Sequence, residues 1–304
     1  MFIDTIIVGF PEYLTDDFVS GWPRQSKQYG LETYTTMIKT SDDKPITVTY
    51  HPKNMAGKRS PILLFQLSLP RMVSKCNHDM SYDLFQAIDE ANSIIPYFLP
   101  FRELKIENGR LVRLDLCYQH DVGDLVPDYI NILSRSDYSR RQTEPYKDCG
   151  VQYPSTEETA KFYDKFRQCH HFEAQGYLRQ EITIRGSDHI RELLGNKSPI
   201  LSNIDKSFAQ RILERDLVRL RLDGKLICNR GREVEILTNR YGSTKASSLI
   251  GYMHYRESYS REQLISRNIF TPQAIAYRER QIADAGIAIQ TCEKVELPPL
   301  SINL

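Results

Sequence analysis

Four short segments of this chain carry residue types that could perform chemistry at regular spacing. In Leu111 to Tyr118 (LVRLDLCY), Arg113, Asp115 and Cys117 alternate with Val112, Leu114, Leu116 and Tyr118. In Tyr177 to Ile184 (YLRQEITI), Tyr177, Arg179, Glu181 and Thr183 alternate with Leu178, Gln180, Ile182 and Ile184. Between them, Tyr163 is followed by Asp164 and Lys165, and Gln66 takes the matching polar position in Ile62 to Leu69 (ILLFQLSL). Period-two alternation puts each polar set on one face of a strand. If the strands share a sheet, Gln66, Asp115, Tyr163 and Glu181 converge on one surface, with Arg113, Arg179, Arg185, Lys161 and Lys165 around it. Such a set suits phosphoryl transfer from a nucleic acid. Carboxylates are hard donors for Mg²⁺ or Mn²⁺, a tyrosine becomes a nucleophile beside a base or cation, and cations neutralise phosphates. The same residues also describe the solvated face of a half-buried sheet laced by cross-strand salt bridges. Alternation alone favours that plainer reading.

The elements that would position these residues can be read from pattern. Ile46 to His51 and Ile62 to Leu69 are expected strands, and Gly150 to Tyr153 with Thr159 to Tyr163 an expected hairpin. Asp79 to Ile95 is an expected helix ended by Pro96, Leu125 to Leu133 a short one, and Asp205 is expected to cap a helix that stops at Gly224. Ser260 to Ile265 and Thr271 to Ala285 are expected helices whose connection, Ser266 to Phe270, would make a helix-turn-helix. The division is a catalytic domain over 1–190, a helical DNA-binding region over 200–293 and a loose tail over 294–304, with the boundary near 190–203.

Composition narrows the class. The chain has 304 residues, and 40 Lys and Arg against 39 Asp and Glu give a net charge of +1, so no global charge announces a nucleic-acid partner. With 40% hydrophobic and 26% charged residues it reads as globular and not as disordered or collagen-like. No run of roughly 18 apolar residues suggests a membrane span. Met1 to Val8 lacks the basic start of a signal peptide, so a cytoplasmic location is expected. The 6 cysteines are scattered without a C-x-x-C pair and read as reduced thiols.

Arg113-Leu-Asp115-Leu-Cys-Tyr, Ala160-Lys-Phe-Tyr163-Asp-Lys165 and Leu178-Arg-Gln-Glu181-Ile-Thr-Ile together resemble the spaced motifs of the filamentous-phage gene II/X replication initiators. They are similar also to plasmid rolling-circle initiators with an R-L-D-L strand, a Y-[DN]-K segment and an R-x-E strand. The segment from Thr271 to Ile287 resembles a helix near the end of the phage-type members. This resemblance implies an α/β fold with a palm-like, largely antiparallel sheet and crossover helices, followed by a helical C-terminal region. It implies origin nicking and strand joining through a 5′-phosphotyrosine on Tyr163, with Lys165 stabilising the developing charge and no nucleotide cofactor. Asp115 and Glu181 would hold Mg²⁺ or Mn²⁺, with Gln66 where many relatives carry an acid. Arg113, Lys161, Arg179, Arg140, Arg141 and Arg278 would contact DNA. The implied partners are origin DNA, single-stranded or hairpin at the nick site, with a host helicase and polymerase.

Departures from the pattern matter. Glutamine is a weak neutral ligand, Phe166 to Cys169 lacks the glutamate that often follows Y-D-K, and there is no His-hydrophobe-His motif. His120, just beyond the Asp115 strand, is a candidate to reach the metal; His170 and His171 read as surface loop. Arg135, Arg140, Arg141 and Lys147 form a basic loop beside the site, interleaved with Tyr138, Tyr146 and Tyr153 as stacking candidates for unpaired bases. Arg211, Arg215, Arg219 and Arg221 read as a solvated helix face. Tyr277, Arg278 and Arg280 mark a candidate recognition helix, with plain helical packing as the competitor. Two other functions remain in view: a non-enzymatic DNA-binding regulator on the same fold, and a plasmid-mobilisation relaxase, which would be expected to show a histidine triad. An ordinary α/β enzyme would need a phosphate-binding glycine loop or nucleophile elbow, and neither is present.

Overall fold

The computed structural model describes residues 2–26, 32–38, 46–52, 60–74, 80–100, 103–138, 140–292 and 295–304. Of the helix expected over 79–95, Asp79 alone falls outside them. Among the described residues ten strands form one sheet: β1 Ile3–Phe10, β2 Arg24–Ser26, β3 Glu32–Ile38, β4 Ile46–His51, β5 Ile62–Ser68, β6 Arg110–Asp121, β7 Glu144–Tyr146, β8 Gly150–Pro154, β9 Glu158–Asp164 and β10 Tyr177–Arg185. Their order is β2-β3-β4-β5-β1-β6-β10-β9-β8-β7, and every described pairing is antiparallel. The helices are α1 Asp16–Val19, α2 Leu69–Val73, α3 Leu84–Phe98, α4 Val126–Arg135, α5 Lys165–Cys169, α6 Ser187–Leu193, α7 Lys206–Leu220, α8 Arg230–Tyr241, α9 Ser243–Ser258, α10 Arg261–Ser266 and α11 Pro272–Asp284. No helix among the described residues is long and apolar enough to cross a membrane.

The alternation of β6 and β10 decides the architecture. Thr183 lies opposite Asp115 and Ile182 opposite Leu116, so the apolar residues of both strands share one face and the polar residues the other. On the apolar face Leu114, Leu116, Leu178, Ile182, Ala160 and Phe162 are fully buried and join the apolar faces of α3, α4 and α7 in one core. Tyr153 on β8 donates its hydroxyl to the Leu133 carbonyl of α4, and Gln180 donates to the Leu213 carbonyl of α7. These bonds satisfy polar groups that would otherwise be costly to bury.

Three expectations change. The helix expected over 79–95 runs over Leu84–Phe98: Asp83 accepts from the Phe85 and Gln86 amides and so fixes its start, and Pro96 sits inside the last turn. The helix capped by Asp205 packs into the core of the sheet, while a second apolar cluster of Leu237, Leu249, Tyr252, Leu264, Ile275 and Ile282 gathers α8 to α11. The first core thus takes in α7 and also Ala288, Cys292 and the tail, which follow α11 in sequence. The tail is not loose: Leu297, Leu300 and Ile302 are buried in the first core, and Ile227 exchanges backbone bonds with Leu297.

Candidate active site

The polar residues of β6, β9 and β10 meet on the sheet face opposite α4 and α7. Register dictates this: Lys161 lies opposite Glu181, Tyr163 opposite Arg179, and Asp115 opposite Thr183. At its centre the Tyr163 hydroxyl donates to Glu181 Oε2 at 2.9 Å, and Lys161 Nζ donates to Glu181 Oε1 at 2.6 Å and to Thr183 Oγ1 at 3.4 Å. Asp115 receives both arms of Arg113, at 2.8 and 2.6 Å. Behind Tyr163, Arg179 reaches Asp4 at 3.3 Å and Cys117 Sγ at 3.3 Å. Lys165 Nζ stands 6.0 Å from the Tyr163 ring centre and donates to Gln168 at 2.8 Å.

Close packing, not solvent, surrounds these charges. Tyr163 is 2% exposed, Glu181 5%, Asp115 2% and Arg179 0%. Tyr146 on β7 covers Tyr163, with ring centres 5.0 Å apart, and Lys161 Nζ lies 5.4 Å from the Tyr146 ring centre. Gly150 permits this stack: a Cβ there would fall 2.3 Å from the Phe162 carbonyl oxygen and 2.5 Å from Tyr163 Cβ.

Burial sets the protonation states. It lifts the Tyr163 hydroxyl well above its ordinary value, and the Glu181 charge adds to the effect while Arg179 opposes it. It pushes Asp115 up to about 6, with Arg113 pulling down and Glu181 pushing further up. Burial would raise Glu181 too, but Lys161 outweighs it and holds the carboxyl below its ordinary value. Lys165 is lowered to about 8 by burial and by repulsion from Arg179. The result is a neutral phenol hydrogen-bonded to an ionised carboxylate, which is the geometry of a hydroxyl and its base.

The structure brings together Asp115, Glu181, Tyr163, Lys161, Lys165, Arg113 and Arg179, and it separates others. Gln66 is on the same face but exposed on β5, three inter-strand spacings or roughly 14 Å from β10. It is therefore no partner of Glu181 in a metal site. His120 points to the opposite face, bonds Gln180 at 3.0 Å and is lowered to about 4 by burial, so it does not approach Asp115. Arg179 is fully buried and cannot touch DNA in this arrangement. Arg141 is spent on Glu158 at 2.7 Å, and Arg278 on the Ala274 carbonyl at 3.2 Å and the Phe270 ring. Of the expected DNA contacts, Arg140 is exposed, while Arg113 and Lys161 are partly exposed but ion-paired. Tyr138 and Tyr153 are core residues, leaving Tyr146 as the aromatic beside the site.

One participant escapes sequence reading, and two others stand closer to the centre than their sequence context suggests. Asp4, the one charge in an apolar strand, holds Arg179; that isolation was the available signal. Tyr146 was placed in a loop, and only the β7–β8 register turns it toward Tyr163. Thr183 joins Lys161 from the polar face of β10.

No family model matches the chain, and no curated protein does. Among solved structures it is similar to the rolling circle replication initiator protein from Geobacillus stearothermophilus, at 12% identity, over 63% of this chain and 76% of that one. The TM-score is 0.31, which does not establish a shared fold.

Proposed function

We propose that this chain initiates rolling-circle DNA replication by nicking and rejoining a strand through Tyr163. The observation that carries the reading is the 2.9 Å bond from the Tyr163 hydroxyl to Glu181, an ionised carboxylate on the same sheet face as Asp115. The order of the three sequence motifs supports it independently. On this reading Glu181 accepts the phenolic proton, the Tyr163 oxygen attacks the scissile phosphate, and the bond from phosphorus to the 3′ oxygen breaks. That oxygen leaves as a 3′-hydroxyl after taking up a proton. The 5′-phosphotyrosine conserves the phosphodiester energy, so the reverse step rejoins a strand without a nucleotide. Lys161 and Lys165 place positive charge beside the phenol and offset the charge that develops at phosphorus. Tyr146 must swing aside to admit the strand.

Asp115 and Glu181 fit Mg²⁺ or Mn²⁺ as a two-carboxylate set, since Mg²⁺ is commonly held by one or two carboxylates and substrate phosphates. Arg113 and Lys161 would have to yield their oxygens, and among the described residues no group of three His, Cys, Asp or Glu is placed to hold a metal. Bound there, such an ion would polarise a phosphate oxygen.

A second reading, a DNA-binding protein without nicking activity, draws on the neutralised carboxylates and the 2% exposure of Tyr163. A covalent-adduct assay separates the two. Protein is mixed with a single-stranded oligonucleotide library, with Mn²⁺ or with chelator, and resolved on a denaturing gel. The nicking reading expects a protein–DNA adduct that disappears in Tyr163→Phe. DNA binding without an adduct under any metal establishes the second reading.

A further inference from the structure

We infer that the exposed face of α11 reads base pairs in the major groove of duplex DNA, apart from the face that carries Tyr163; the inference rests on the DNA-directed reading above. The α10–α11 unit has firm local determinants. Ser260 and Gln263 form a reciprocal capping box at the start of α10. Thr271 caps α11 and Pro272 takes its first turn, where a missing N–H costs nothing. Five residues, Arg267 to Thr271, connect the two helices.

The packing of α11 leaves one face free. Ile275 and Ile282 enter the second core, and buried Glu279 accepts from Tyr252 at 2.7 Å and pairs with Arg221 at 2.6 Å. Arg278 is folded back on Phe270. What remains outward is Gln273, Ala276, Tyr277 and Arg280, at positions i, i+3, i+4 and i+7 on one stripe, with Tyr277 56% exposed. Glutamine and arginine are the side chains that bond adenine and guanine edges in pairs, and alanine is small enough to meet a thymine methyl.

The surroundings supply the phosphate contacts. Lys245, near the start of α9, lies 5.9 Å from the Tyr277 ring centre and 4.7 Å from that of Tyr241, and exposed Arg240 borders the same Tyr241. The Tyr241 hydroxyl donates to the Gln281 carbonyl at 2.8 Å and so ties this basic, aromatic corner to α11. Gly242 offers no side-chain cap to α9, leaving its first amides beside Lys245. Arg267 is exposed in the α10–α11 turn. Asp284 adds an exposed negative charge to the helix, at the far end of α11 from Gln273. A short helix end with a cationic rim therefore complements a groove flanked by phosphates.

The test is selection from duplexes with a randomised central segment, followed by fluorescence anisotropy at several salt concentrations. Wild type is expected to enrich one sequence. Arg280→Ala and Gln273→Ala should each lose at least about 10-fold in preference for it, while binding to unrelated duplex is unchanged. Lys245→Ala should weaken all duplexes alike and reduce the salt slope by about 1. All three are surface changes and should form the single-stranded adduct as wild type does, whereas Tyr163→Phe should lose the adduct and keep the duplex preference. Enrichment of no sequence by wild type, or full preference retained in Arg280→Ala and Gln273→Ala, overturns the inference. Loss of the adduct reading with sequence preference intact would leave a duplex-reading protein that does not nick.

Discussion

Lys161 is the most informative residue to remove. Its ammonium lies 2.6 Å from a carboxylate whose side chain is 7% exposed, and it is itself only 13% exposed, so water screens the pair little. Replacement by methionine keeps the hydrocarbon volume and leaves Glu181 buried with only the Tyr163 hydroxyl as donor among its described partners. Breaking a buried pair from one side costs about 3–5 kcal/mol, because one charge is left without its counterion. The sign follows from Glu181. In wild type its carboxyl sits below its ordinary value of 4.5, so its contribution to stability is present above about pH 4.5 and lost as pH falls. In Lys161→Met the largest opposing influence is gone, so burial, resisted now by Arg179 and the Tyr163 hydroxyl alone, raises the same carboxyl relative to wild type. Its penalty is then full at neutral pH and vanishes once the group protonates, below about pH 4.5. Urea denaturation should therefore show the variant about 3 kcal/mol less stable at neutral pH, with the gap smaller at about pH 4 and closing as pH falls through the lowered wild-type value of Glu181. The double variant Lys161→Met with Glu181→Gln should recover most of the loss, since neither charge is left alone. A loss under about 1 kcal/mol, or one that is the same at both pH values, would refute a buried Lys161–Glu181 pair.

Further outcomes follow from other parts of the fold. Glu158 is held down to about 2: burial would raise it, but Arg215, His189 and Arg141 outweigh that. Glu158→Gln should cost about 2 kcal/mol at neutral pH after allowance for the partial exposure of its partners, and the gap should close as pH falls from about 4.5 toward 2; a pH-independent gap contradicts the cluster. Gly150→Ala drives a methyl into the Phe162 carbonyl and Tyr163, so melting should show a loss of about 1–3 kcal/mol and the adduct yield should drop; wild-type behaviour in both would mean the stack tolerates displacement. Tyr146→Ala should speed adduct formation by uncovering Tyr163, and Tyr146→Phe should leave it unchanged. Loss of the adduct in Tyr146→Phe would transfer the nucleophile to Tyr146.

Alternation made the two central strands legible, and with them the shared face of Asp115, Glu181 and Tyr163, because period two is a direct consequence of the pleat. Depth was not legible. The pattern of β10 reads as half solvated, yet seven consecutive residues, Leu178 to Ile184, are buried, since Tyr146 and neighbouring charges close over the polar side. That is why Arg179 looked like a DNA contact and is an internal counterion to Asp4. Strand order was also hidden: Gln66 has the right parity but sits on the wrong strand, because β1 inserts between β5 and β6. Parity placed His120 on the core face, although nearness in sequence to Asp115 suggested otherwise. The tail looked loose because its prolines and polar residues hide three apolar side chains, Leu297, Leu300 and Ile302, that are buried in a core built from segments distant in sequence.

Peptide mapping of the adduct shows which side chain forms the covalent bond to DNA. Trypsin cuts after Lys161 and Lys165, releasing Phe162–Lys165 with Tyr163, and after Arg141 and Lys147, releasing Gln142–Lys147 with Tyr146. A Tyr163 nucleophile places nuclease-trimmed nucleotide mass on Phe162–Lys165 and none on Gln142–Lys147. Nucleotide on the second peptide, or on any peptide lacking Tyr163, would contradict it.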